Sequence, residues 1–386
     1  MSSGSLSRPL KCGLNLEPLL TIEIPDINPL SEELQIKNYR YIGSYNWVEG
    51  SDASNPVIMV PGSPPQWLEP SLPITVPPDT GTHFRDRNGH ILPGRPLLPL
   101  VVAVTEQNIQ PSVDWKTVDI VTDRNSLRKL LRWVRGTGRD WRIDTELVGE
   151  KTVFLNRWEQ QTVDHLNGVM YGFGFEKAST KTVRGSDGLP GHARIATYDY
   201  GGLSIVLQFE VDAYLPMSLS GPGSEVLDEA DTALAEVNSH IDFTKGKQKK
   251  LLELGVVRRG NGNIPDSAIV ELATTTRKLD WKERYPQLFL SQTPHHFLAW
   301  HDQLQMGTFI RIDKRTIDCP LLQAANGRLQ PAFKKLRAAL MLIQQIVMEH
   351  GQDERLTLLC TNKRLEVYKR GDRRSCLPDE ALSLFD

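Results

Sequence analysis

Apolar residues fall at helical spacing from Asn125 to Val134, where Leu127, Leu130, Leu131 and Val134 share one face and Asp123 stands ready to cap the first turn. The same period runs from Pro331 to about His350 through Leu336, Leu340, Ile343 and Val347, with Gly351 placed to end the helix in a left-handed cap. A further helix is expected from about Glu225 to Ile241, after Ser224. Strand-like runs lie at Thr152–Trp158, Val169–Phe175, Ala193–Tyr198, Leu203–Tyr214 and Ile269–Thr275. The chain closes on a hairpin, Leu356–Cys360 and Leu365–Tyr368, turned at Asn362-Lys363. This mixture predicts an α+β (α/β-like) fold, a large mixed β-sheet core flanked by helices.

Residues 56–99 carry 11 of the 25 prolines, which argues against regular helix or central strand there. The stretch keeps too many apolar residues (Val60, Trp67, Leu68, Leu97, Leu98, Leu100) for a free linker, so it is expected to wrap one domain and not to divide two. Residues 1–20 read as a flexible N-terminal tail and 21–386 as a single domain. Met1–Lys11 has no apolar core and does not read as a secretory signal.

Charge is nearly balanced, 45 basic against 47 acidic residues, so any nucleic-acid partner is met by a local groove and not by an overall field. Cys12, Cys319, Cys360 and Cys376 form no CxxC pair, which fits a reducing compartment. No apolar run approaches the roughly 20 residues of a membrane span. Three lesser features read as scaffold. Lys245–Lys250 is a solvated loop, with an RNA-backbone grip as the alternative, and Arg258–Asn263 is a turn. His295, His296 and His301 fit no common zinc spacing.

The candidate chemistry lies in carboxylates on strand-like segments: Gly172-Phe-Gly-Phe-Glu176, Phe209-Glu210-Val-Asp212 and Val270-Glu271-Leu-Ala273. On a strand, Glu210 and Asp212 share a face and stand on the order of 7 Å apart. Glu271 shares a face with Ile269 and Ala273, and Glu176 with Gly172 and Gly174. Carboxylates buried together repel one another, and a divalent cation with its preference for oxygen relieves them. The pattern therefore suggests a Mg²⁺ or Mn²⁺ site acting on phosphate esters.

In this order the segments resemble the DXO family of decapping and RNA 5′-end nucleases, and among them a divergent fungal branch. Arg124-Asn-Ser-Leu-Arg-Lys-Leu-Leu131 matches the opening arginine motif loosely, and Gly172–Glu176 matches G-Y-x-F-E. Glu210-Val-Asp212 matches E-x-D, and Glu271-Leu-Ala-Thr274 matches E-apolar-K-T with Ala273 in place of the lysine. Gln292 followed by Pro294 through Trp300 matches the last motif, with a shortened gap. The resemblance implies an E-x-D/E-x-K nuclease-like catalytic domain that uses Mg²⁺ or Mn²⁺. The expected activity is removal of incomplete or non-canonical caps, pyrophosphate or NAD caps from RNA 5′ ends, with 5′→3′ exoribonuclease activity in some members. It further implies Glu176, Glu210, Asp212 and Glu271 as metal ligands, Gln292 as placing the nucleophile and Arg124 as meeting a substrate phosphate. The implied setting is nuclear or cytoplasmic, with a partner 5′→3′ exoribonuclease and no membrane. Because Ala273 cannot orient water as a lysine does, the alternative is a weakened or inactive pseudoenzyme that binds RNA 5′ ends or supports that partner.

Overall fold

A computed structural model of the chain describes residues 8–27, 32–182, 191–216, 249–258, 264–302 and 304–386. A twelve-stranded mixed sheet forms its centre. From one edge its strands run Leu20–Ile22, Arg364–Lys369, Leu356–Thr361, Trp141–Val148, Thr152–Trp158, Ile120–Asp123 and Ser204–Val211. The order continues through His192–Tyr200, Ile36–Trp47, Val57–Val60, Leu254–Arg258 and Lys249–Leu251. Ile120–Asp123 is parallel to both of its neighbours, so the large mixed sheet expected from the sequence is present. Its central strands are apolar on both sides because both faces are covered. The helices Arg124–Val134, Trp281–Ser291 and Pro320–His350 pack on one face; Leu98–Gln107 and the C-terminal segment around Leu377 and Phe385 pack on the other.

A second, seven-stranded sheet centres on Ala213–Tyr214, Ile269–Thr275, His295–His301 and Thr308–Thr316. The chain crosses from the large sheet into this one at Asp212, between Val211 and Ala213. Ile269–Thr275 and His295–His301 are parallel, and the Trp281–Ser291 helix connects them. One face of Ile269–Thr275 therefore looks toward the helices, and Val270 and Leu272 enter a third core with Trp67, Phe175 and Phe297.

Several elements keep their expected bounds. Thr152–Trp158 and Ile269–Thr275 are strands over the full ranges read from the pattern. The terminal hairpin turns at Asn362 and Lys363, both at positive φ, as a tight two-residue turn requires. Others are corrected. Gly172–Ser179 is a helix, not a strand. Its first N–H groups are satisfied by Asp79, whose carboxylate accepts from Phe173 N at 3.1 Å and Gly174 N at 2.8 Å.

Within the proline-rich stretch Val57–Val60 is a fully buried strand between two others, because Pro56 and Pro61 flank it and leave its own N–H groups free to pair. Leu98–Gln107 is a regular helix that admits Pro99 in its first turn. The helix expected at Pro331 begins at Pro320 and carries Pro331 within it. The described part of the expected tail is docked: Arg142 donates to the carbonyls of Leu10 and Cys12, and Leu20–Ile22 joins the sheet edge. The helix expected near 225–241, and residues 245–248 and 259–263, lie outside the described residues. No helix among the described residues is long and apolar enough to cross a membrane.

Candidate active site

The strand Ile120–Asp123 ends beside Ser204–Val211, with Asp123 opposite Gln208, so Arg124 and Glu210 emerge at the same edge of the sheet. Asp123 caps the helix that follows, accepting from Ser126 N at 2.9 Å, and this fixes the direction of Arg124 in the first helical position. The Arg124 guanidinium lies over the Phe209 ring at 5.8 Å. It donates to Glu271 Oε2 at 3.0 Å and to Ser291 Oγ at 3.2 Å. Both partners of the Arg124–Glu271 ion pair are buried.

Glu271 is thus reached from two helices, because Gln287 Nε2 donates to its Oε1. Asp212 sits where the strand leaves the large sheet, and its Oδ2 accepts from Leu272 N at 2.8 Å, which ties it to the Glu271 strand. Glu176 faces the same space from the Gly172–Ser179 helix. Burial, and then the charges of Glu271, Glu210 and Asp79, push its carboxyl up to about 8. Burial, Glu271 and Glu176 likewise hold Asp212 well above the usual carboxylate range, against the opposing pull of the Leu272 N–H and Arg124. Glu210 is exposed at the rim of a cavity of about 200 Å³ that Arg124 and Gln287 also line.

Four acids from three segments therefore act on one another across one space. Their donor set is carboxylate oxygen only, which suits a hard divalent cation. Among the described residues no three such side chains already stand as an ion cage. Glu271 is engaged by Arg124 and Gln287, and Asp212 by a backbone N–H, so a cation must compete for these oxygens. The uncompensated repulsion carried by Glu176 and Asp212 is what a cation relieves, and on this ground the residues fit one.

The expectation for Gln292 shifts. The Gln292 side chain is turned away, donating to Phe289 O at 2.6 Å in the left-handed cap of its helix, and Gln287 stands at the acids instead. The short interval from Gln292 to Pro294 was the one trace of this in the sequence. Ala273 is buried beside Glu271, and the nearest basic residues that follow it in the chain, Arg277 and Lys278, are exposed and make no ion pair to the acids among the described residues. Asp79, which caps the Glu176 helix, carries no motif that would have singled it out.

The architecture is the DXO/Rai1-family fold. S. pombe Rai1 matches with a TM-score of 0.57 and 14% identity, over 88% of this chain and 96% of that one. Candida albicans Rai1 in complex with pU5-Mn2+ matches with a TM-score of 0.57 and 13% identity, over 95% and 99%. K. lactis Dxo1 in complex with manganese matches with a TM-score of 0.52 and 7% identity, over 92% and 96%. No curated protein matches the sequence significantly. Residues 27–384 match the family described as Domain of unknown function (DUF8563), and the chain belongs to that family.

Proposed function

We propose that the protein is a divalent-cation-dependent hydrolase of RNA 5′ ends. The observation that carries the proposal is the convergence of Glu176, Asp212 and Glu271 on one space, with Asp212 tied to the Glu271 strand through Leu272 N–H and Glu210 at the rim. The same fold carries the Rai1 crystallised with pU5-Mn2+ and the Dxo1 crystallised with manganese, which supports Mn²⁺ or Mg²⁺ and an RNA end as ligands. In this reading Glu176, Glu210, Asp212 and Glu271 hold the cation. When bound, it supplies a Lewis acid and an activated water for attack on a phosphorus–oxygen linkage.

The chain's own residues prepare this chemistry. Arg124 and Gln287 hold both oxygens of Glu271, and Leu272 N–H holds Asp212, which orients these carboxylates toward the shared space while leaving a cation to compete for their oxygens. In the absence of a cation, burial and the charges of Glu271, Glu210 and Asp79 raise Glu176 to about 8, so a bound cation would take the place of its proton. Glu210, exposed between the acids and the cavity, borders the path of the entering end.

A second reading, an RNA-end binder without turnover, is favoured by Ala273, whose methyl group sets no ammonium beside Glu271. Incubation of 3′-labelled RNA carrying a 5′-triphosphate, GpppN or NAD end with the full chain and Mn²⁺ separates the two. The hydrolase reading expects end removal that Glu271→Ala abolishes and Arg277→Ala leaves intact. Retained RNA binding without turnover on any of these ends overturns it.

A further inference from the structure

The helix that carries Glu176 also presents an aromatic ring that its packing does not use. Phe175 anchors this helix and is fully buried in the third core with Trp67 and Phe309. Phe173, two residues earlier, is left out of that core and is 44% exposed. It stands three residues before Glu176, so the two side chains share one face of the helix with their Cβ atoms about 5–6 Å apart. Val169 and Met170, in the segment leading to the helix, are exposed as well. Large apolar side chains gathered at the surface beside a polar site mark a place where a ligand or partner is met.

The ring is also held in place. His83 stacks on it, with ring centroids 4.1 Å apart and planes 15° from parallel. His83 belongs to the strand Thr80–Phe84, which pairs with Val163–Asn167 in a two-stranded ribbon. Its Nε2 donates to the Thr80 carbonyl at 3.3 Å, and Arg85 Nε ties the base of the ribbon to Asp164 at 3.1 Å. Asp79 holds the Phe173 backbone from the other side. The ribbon runs directly into Asp86, Arg87 and Asn88, which line the cavity on whose rim Glu210 stands. One continuous segment therefore joins the Phe173 stack to that cavity. A ring already ordered before its ligand arrives loses little freedom on binding.

We propose that Phe173, backed by His83, is the stacking platform for the nucleobase of the nucleotide whose phosphate meets the acids. The proposal rests on the reading of those acids as an RNA 5′-end site, and it adds the feature by which the end is selected. An aromatic face carries no hydrogen-bond pattern, so it reads planarity and area and not sequence. The site then accepts any base, purines ahead of pyrimidines, and discriminates against an end whose first nucleotide lacks one. The ring's place one helical turn, about 5.4 Å, from Glu176 favours a base over an apolar protein segment, since a nucleotide sets its base at that reach from its phosphate.

The test uses the full chain in chelator, which stops turnover, and one 3′-labelled 5′-triphosphate RNA whose first nucleotide is either 2-aminopurine or abasic. Anisotropy should show the wild type binding the base-bearing end about tenfold more tightly, the scale of one stacked base. Phe173→Ala should reduce that ratio to about twofold or less with the abasic affinity unchanged, and Phe173→Trp should keep it. The 2-aminopurine emission should be quenched on binding to the wild type and to Phe173→Trp, and stay bright in the Phe173→Ala complex, which a purely structural loss does not produce. Matching melting temperatures show that the variants are folded. Equal binding of both ends by the wild type, binding of neither, or a ratio and quenching undiminished in Phe173→Ala overturns the proposal. A concentration-dependent dimer that Phe173→Ala abolishes overturns it too, by assigning the ring to a contact between copies. The hydrolase reading fails separately, if Mn²⁺ gives no turnover while the base preference persists.

Discussion

Arg124→Ala removes the counter-ion of Glu271 and leaves every carboxylate in place. Glu271 is 6% exposed and Arg124 8%, so the pair is screened little by solvent. Deleting one partner of a buried pair costs about 3–5 kcal/mol, because the other charge stays buried alone. Gln287 still donates to Glu271, which places the loss near the lower end, about 3 kcal/mol. With an unfolding entropy of about 2.1 cal/mol/K per residue, a 386-residue chain then melts about 4 °C lower. Differential scanning calorimetry in chelator measures this. Mn²⁺ at a hundred times its dissociation constant adds about 2.7 kcal/mol to a protein that binds it only when folded. The gain should be larger in Arg124→Ala, where the freed Glu271 oxygen is open to the ion, so the gap to wild type narrows. Adding Glu271→Gln to Arg124→Ala should recover most of the loss in chelator by neutralising the stranded charge. A variant that melts within about 1 °C of wild type, or a gap that Mn²⁺ leaves unchanged, refutes the reasoning.

Gln287→Leu should lower turnover on 5′-triphosphate RNA by about tenfold or more through a misoriented Glu271, whereas Gln292→Leu should leave it within about twofold. Equal effects in a steady-state assay would return the role to Gln292. Glu176 titrates at about 8 when folded against an ordinary value of 4.5, so the folded state binds the extra proton between these values. Melting temperature without divalent cation should therefore fall as pH rises through that window, and Glu176→Gln should flatten the decline. The Mn²⁺-induced rise in melting temperature should be greatest at the alkaline end, because the carboxylates must lose their protons to bind. Asp79→Ala should cost about 1 kcal/mol by uncapping the Gly172–Ser179 helix, seen as faster amide exchange at Phe173 and Gly174.

Local signals made part of this site readable. Asp123 before a 3.6-residue apolar period identifies the Arg124 helix, and the bounds of Ile269–Thr275 follow from its apolar residues alone. Strand parity accounts for the buried Phe209, Val211 and Ala213 and the exposed Glu210, but not for the end of the strand at Val211, after which Asp212 crosses to the second sheet. What escaped the pattern depends on distant partners. Gly172 to Glu176 alternates like a strand, yet Asp79 supplies the cap for a helix, and a Cβ on Gly174 would meet Pro77 O at 2.9 Å. Val57–Val60 is a central strand that its flanking prolines concealed. Gln287 lies at the acids because the Trp281–Ser291 helix crosses over a parallel strand pair, a placement that linear spacing does not encode.

Anomalous diffraction from crystals of the full chain soaked in Mn²⁺ tests the shared cation pocket most directly. A peak among the carboxylates of Glu176, Asp212 and Glu271, absent from an Asp212→Asn crystal, is the predicted result. A peak bound elsewhere on the molecule, or no peak beside Asp212, contradicts the account.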